Sequence, residues 1–277
     1  MQNNFSFGHY DRIVIHTPHA GTILPIHYLV IKHADAIRSN NSRSKFIRPY
    51  FRLLTDHYTN KLFSFVAEGP YILKSGYLHS NIQQITFPYS RLFCDVERLE
   101  NDPLEERGLG IHYDFNKIAD FNFNSYWNYG KEKAIELYNE HQKKLLASIN
   151  YPLLGRSLIL DCHSFSEQDN VLCPNAHEFK DIDICIGFNE DETKPSGEFI
   201  DSIKEFFTAC GYRVEFNKPF SNSKTVKGYS NWFHPYNTLM IEVNKHCYMN
   251  EDTLAITAGY YKLHSELQIL YNLLLNS

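Results

Sequence analysis

SLILDCHSF, residues 157–165, decides the fold class. Its apolar start, without a helical period, reads as a buried strand of a sheet covered on both faces, and its end presents Asp161, His163 and Ser164. Working outward, IVIHT (13–17) is a second β-branched run that breaks at Pro18 and turns through His19. DIDICIGF (181–188) is an apolar run ending near Gly187, and TLMIEVNKHCYMN (238–250) is a strand carrying Glu242. Helical periods fall between them. KEKAIELYNEHQKKLLASI (131–149) is amphipathic through Ile135, Leu137, Tyr138, Leu145, Leu146 and Ile149, with Asn150, Pro152 and Gly155 ending it. GEFIDSIKEFFTACG ends on Gly211, YRVEFNKPF is a strand broken by proline, and TAGYYKLHSELQILYNLLLN closes the chain as a helix. Strands alternating with helices predict an α/β fold, three-layer α/β/α, with a mixed, mostly parallel sheet. With no repeat or linker, one domain over 1–277 is expected.

The remaining stretches are less regular. PYFRLLTDHYTNKLFSF (49–65) has apolar residues near helical spacing and predicts a loop entering a helix at Asp56. YILKSGYLHS is strand-like, and TFPYSRLFCDVERL is extended or irregular. Residues 101–130, polar and aromatic by turns, predict a surface loop or lid.

Composition narrows the function classes. The formal charge of −5 gives no electrostatic reason to bind nucleic acid or an anionic membrane. No run approaches the roughly 18 apolar residues of a membrane span. Six cysteines lie apart, with no C-x-x-C pair and no spacing of a structural zinc site, which fits a reduced compartment. The N-terminus lacks the basic start and apolar stretch of a secretory signal, so cytoplasmic residence is the expectation.

His19, His163 and Glu242 sit on or just after separate strands. Dispersed histidine and carboxylate residues at strand ends supply what a catalytic metal site with an open position requires, although any one of these histidines is as readily a core residue. An ionised Glu242 in an apolar strand needs a partner, either a structural ion pair or a role as general base near a cation. Arg91 and Arg98 flank Asp95 among Phe93, Cys94, Val96 and Leu99. Their guanidinium forks suit a substrate carboxylate, and an internal Arg91–Asp95 pair explains the same pattern. His141 faces either a site or solvent, while His79, His112, His177, His234 and His246 read as loop or surface residues. There is no G-x-S-x-G, H-E-x-x-H or phosphate-binding glycine loop.

Seven motifs, TPHAGTILP, LLTDHYTNKLF, YSRLFCDVERL, YNEHQKKLL, LILDCHSFS, NKPF and LMIEVNKHCYM, together resemble the N-formylglutamate amidohydrolase family from Ile13 to Met249. The resemblance implies a fold related to zinc carboxypeptidases and aspartoacylases, of the zinc-exopeptidase or phosphorylase-hydrolase kind. It implies one zinc or other divalent transition-metal ion held by His19, Asp56 and His163, with Thr22 where carboxypeptidases carry the glutamate of their H-x-x-E motif. Glu242 is then general base and acid, and Arg91 polarises the scissile carbonyl or binds carboxylate. Arg98 holds the carboxylate of a small-molecule substrate, and Asn217 and His141 line the pocket. Two departures concern substrate: DVER stands where the family has D-x-N-R, and SNSKTVKG follows NKPF where a Gly-Gly pair is common. The implied reaction is hydrolysis of an N-formyl or N-acyl amino acid, most simply N-formylglutamate. The aromatic segment 113–129 motivates a carboxypeptidase or amidase acting on a peptide or cell-wall fragment as the alternative, and the departures motivate a non-catalytic ligand-binding pseudoenzyme. Oligomeric state is not legible.

Overall fold

The structure is a computed structural model, and it describes residues 5–25, 49–66, 82–100, 102–118, 130–149, 155–227 and 236–277. The expected strand at YILKSGYLHS, His79, His234, Asn150, Pro152 and the 119–129 part of the expected lid lie outside these residues. The chain divides into two compact units, one of Met1–Thr17, His57–Ile85 and Leu145–Ser277, the other of Pro18–Asp56 and Thr86–Lys144.

The first unit carries the sheet. Its strands are β1 (Arg12–Thr17), β2 (Ile82–Thr86), β3 (Ser157–Phe165), β4 (Ile184–Gly187), β5 (Val214–Phe216) and β6 (Tyr236–Asn244), in the order β2-β1-β3-β6-β4-β5. β1, β3 and β6 run parallel, β4 lies antiparallel to β6, and β5 is parallel to β4. The sheet is thus mixed and mostly parallel, as expected. β3 and β6 are buried along their whole length, which requires cover on both faces.

Strand alternation sorts the two faces. Ile13, Ile15, Leu158, Leu160, Ile184, Ile186, Leu239, Ile241 and Val243 form the larger core with Gly197–Ala209 and Ala258–Leu275. Those two helices present Phe199, Ile203, Phe206 and Phe207, and Leu263, Leu267, Leu270 and Leu274, at intervals of three and four. The former starts on Ser196, whose Oγ accepts from Phe199 N at 3.3 Å, and Gly211 follows its end at φ +94°. Val14, Ile159 and Tyr236 turn to the opposite face, against Leu145 and Ile149 at the end of the Lys131–Ile149 helix. Helices on both faces give the three layers.

Several boundaries differ from expectation. Residues 238–250 do not form one strand: β6 stops at Asn244, a 3-10 turn covers Lys245–Cys247, and Met249–Asn250 pairs as β7 with β8 (Ala255–Ile256). Asn244 caps that turn, its side chain accepting from His246 N at 3.3 Å. Segment 49–65 is two short pieces, helical residues 49–54 and the helix Thr59–Leu62, with Asp56 in the turn between. Within the expected lid, Pro103–Arg107 is a 3-10 helix capped by Asp102 and Phe115–Ile118 an α-helix. Ile135, counted on the buried face of its helix, is exposed, whereas His141 is buried.

Candidate functional site

In the second unit the chain leaves β1 and passes at once through His19. Gly21 permits this path, because a Cβ there would stand 2.3 Å from the Tyr89 carbonyl oxygen and 2.5 Å from that of Phe87. The close approach is fastened by Ser90 N donating to Ile23 O at 2.9 Å and Ile23 N to Pro88 O at 3.2 Å. It lays the His19 segment against the one that carries Arg91, Asp95 and Arg98. Asp56 N donates to His19 O at 3.1 Å, drawing the Asp56 turn to the same place.

Asp95 is the hub of this region and fully buried. Its Oδ1 lies 2.8 Å from His19 Nε2 and accepts from Glu97 N at 3.1 Å. Its Oδ2 accepts from Tyr113 Oη at 2.8 Å, Arg91 Nη2 at 2.9 Å and Arg98 Nε at 3.3 Å. Arg91 Nε also donates to Tyr113 Oη at 3.1 Å. Burial pushes the Asp95 carboxyl up, but Arg91, His19 and Arg98 outweigh it and hold it well below the usual carboxylate range. For His19, burial is the largest effect and Arg91 adds to it, so its pKa falls and the imidazole is neutral. A neutral ring that gives its Nε2 proton to a carboxylate keeps its lone pair on Nδ1. That atom lies 3.7 Å from Asp56 Oδ2 and 3.8 Å from Glu97 Oε2.

The first unit holds a set of titratable residues of its own. Sheet register puts His16 beside Asp161 and His163 beside Glu242, with Cys185 across from Glu242. These residues belong to the face of Val14, Ile159 and Tyr236, so that face is apolar where β3 begins and titratable where it ends. His16 Nδ1 stands 2.8 Å and His163 Nε2 3.2 Å from Asp161 Oδ1, while Asp161 Oδ2 accepts from Lys224 N at 2.9 Å. Burial raises the Asp161 carboxyl, and His163 and His16 more than reverse this, leaving it well below its ordinary range. Burial, reinforced by Glu242, pushes the Cys185 thiol up to about 12.

Of the sequence-derived residues, His19, Asp56, Arg91 and Arg98 come together in the second unit, and His163 and Glu242 are cross-strand neighbours in the first. His141 packs its ring edge on Phe87, centroids 5.1 Å apart. Asn217, at φ +53°, accepts from Phe188 N through its side chain at 3.2 Å, stapling the turn after β5 to the end of β4. Phe93, Cys94 and Val96 are buried as expected, but Leu99 is 46% exposed. Sequence reading left Asp95, Tyr113 and Asp161 without a part in the site. The signal for Asp95 was its i+4 spacing from Arg91, which exposed that ion pair but neither the pair with Arg98 nor the bond to His19.

The family model for N-formylglutamate amidohydrolase matches residues 11–249. This chain belongs to that family. Membership places it among the amidohydrolases, which cleave amide bonds with water. The solved structure of N-formylglutamate amidohydrolase from Ralstonia eutropha JMP134 is 17% identical, with a TM-score of 0.54 over 95% of this chain and 92% of that one. A gene product of Agrobacterium tumefaciens is 16% identical, with a TM-score of 0.51 over 95% and 91%. At these identities the likeness is one of fold. No curated protein matches the chain. Buried His and Asp side chains of metal-binding type are present among the described residues of this amidohydrolase. Among its described residues no helix is long and apolar enough to cross a membrane.

Proposed function

We propose that this amidohydrolase hydrolyses the amide bond of an N-formyl or N-acyl amino acid, most simply N-formylglutamate, with one divalent metal ion held by His19, Asp56 and His163. The observation that carries the reading is the state of His19: buried, neutral, and tied by Nε2 to Asp95, so that Nδ1 is the atom that would coordinate an ion. A neutral imidazole and a buried carboxylate are donors that suit zinc and its first-row neighbours. When bound, the ion supplies a Lewis acid and lowers the pKa of water towards ~7.

The chain's own residues do the rest. Glu242, beside His163 in the sheet register, takes the proton of the attacking water and returns it to the leaving nitrogen. Arg91 and Arg98 stay protonated, since Asp95 outweighs the burial that opposes their charge. Arg91 stabilises the oxyanion and Arg98 orients the substrate carboxylate. His141 and Asn217 shape the pocket. Asp95 fixes the tautomer and ring plane of His19, the part that a carboxylate behind a metal-binding histidine plays.

Metal-stripped protein should lose turnover of N-formylglutamate, and zinc should restore it. Activity indifferent to chelators would overturn the metal requirement. A panel of formyl amino acids set against short peptides tests the substrate class, and faster turnover of the peptides would shift the reading to a peptidase.

A further inference from the structure

The motif LMIEVNKHCYM contributes Glu242 to the proposed reaction, but its second half, Lys245–Cys247, has no part in it. That half is the 3-10 turn after β6, and the first unit folds it onto the start of β4. Asn244 N donates to Asp183 O at 2.8 Å, and Asn244 Nδ2 to Ile182 O at 3.0 Å. The turn is backed by the last helix, where Gly259 approaches so closely that a Cβ would lie 2.0 Å from Cys247 O. These contacts bring the backbone of Asp183 and of the His246–Cys247 turn together, and the three side chains meet there. His246 Nε2 lies 2.9 Å and Cys247 Sγ 3.8 Å from Asp183 Oδ1, and the three donor atoms all stand within 4.8 Å of one another.

We infer that Asp183 Oδ1, His246 Nε2 and Cys247 Sγ form a binding site for a thiophilic divalent cation such as zinc. Oxygen, nitrogen and sulfur donors on a tetrahedral zinc, with bonds of about 2.0–2.3 Å, stand about 3.3–3.6 Å apart. The two spacings from Oδ1 bracket that range and Nε2 and Sγ stand within 4.8 Å of each other, so loading requires side-chain shifts of up to roughly an ångström. Charge balances as well. Arg213 bonds the other oxygen of Asp183 through N at 2.8 Å and Nε at 3.1 Å, Oδ1 through Nη2 at 3.1 Å, and Asp181 through Nη1 at 3.1 Å. A dication, one thiolate, two carboxylates and one guanidinium sum to zero. Binding releases the Cys247 thiol proton to solvent and moves the proton of His246 to Nδ1, leaving water at the fourth position. The thiolate selects zinc, cadmium or cobalt over magnesium and calcium. The ion would clip the head of β4 to the turn after β6.

This site shares no ligand with His19, Asp56 and His163, and it stands or falls without the hydrolytic reading. Cobalt(II) is the probe, titrated into reduced, metal-free protein, because a thiolate ligand gives a charge-transfer band that histidine and carboxylate ligands do not. Wild type should develop the band with one equivalent assigned to it, and so should His163→Ala and Cys210→Ser. Cys247→Ser should lose the band, and His246→Gln, which retains the thiol, should need about tenfold more cobalt or worse to reach it. Cobalt uptake by wild type without the band, or a band that survives Cys247→Ser, would overturn the site. Should Cys247→Ser fail to fold, unchanged cobalt affinity of the band in His246→Gln would overturn it equally.

Discussion

Asp95 shows how much one buried carboxylate can organise. It is shared by a histidine, two arginines and a tyrosine, and no water is needed to complete its bonds. Asp95→Asn keeps the shape and removes the charge, leaving Arg91 buried without its counter-ion and Arg98 with only Asp102, at 3.7 Å. The expected cost is about 3–5 kcal/mol in urea unfolding, and metal affinity should fall because the amide no longer dictates the His19 tautomer. A stability loss with unchanged metal affinity would reduce Asp95 to a structural role. Gly21→Ala tests the same place from the backbone. The new methyl meets carbonyl oxygens of Phe87 and Tyr89 that cannot rotate away, so a loss of about 1–3 kcal/mol is expected in thermal unfolding. The sequence exposed half of this region. The Arg91–Asp95 pair follows from spacing within one motif, whereas the bond from His19 to Asp95 spans 76 positions, and no local pattern encodes a contact made only after the sheet has formed.

Elements were legible where one physical signal dominated. The Lys131–Ile149 helix has the boundaries its periodicity predicts, and β1 and β3 follow from their apolar runs. β2 is not legible in the sequence because it is an edge strand with a single buried residue, Ile85, so Ile82–Thr86 carries two glutamines and no apolar run. The break after Asn244 was hidden for a different reason: an apolar pattern continues through Tyr248 and Met249, while the cap that ends the strand depends on a side-chain bond. Leu160→Ala, at the centre of β3 with no exposure, should cost about 2–5 kcal/mol by the cavity it leaves, measured by denaturant midpoint at constant slope. The junction of β4 and β5 has a pH signature. Burial raises the Asp183 carboxyl, but bonds from Arg213 and His246 carry it down to about 2, below the ~4 of an unfolded chain. Between those values the unfolded state binds the extra proton, so stability falls as pH falls. The contribution is complete above ~4 and lost as pH drops towards 2. In chelator-treated protein, Arg213→Ala should flatten that slope. An identical slope in the variant would mean that other carboxylates govern acid unfolding.

For the molecule as a whole, the two sets of donors make stability a reporter of metal that is independent of turnover. A ligand that binds only the folded state at about 100 times its Kd adds about 2.7 kcal/mol. For a chain of this length that corresponds to a rise of roughly 5 °C in Tm for each occupied site. Zinc added to metal-free wild type should therefore raise Tm in two steps if the sites differ in affinity. His163→Ala should keep the step belonging to Asp183, His246 and Cys247, and Cys247→Ser should keep the step belonging to His19, Asp56 and His163. Activity should follow only the second step. A wild type whose Tm responds once, with that response abolished by His163→Ala and untouched by Cys247→Ser, would leave the hydrolytic site and remove the clip. The converse pattern would leave a zinc-stabilised member of the family whose chemistry does not depend on that ion.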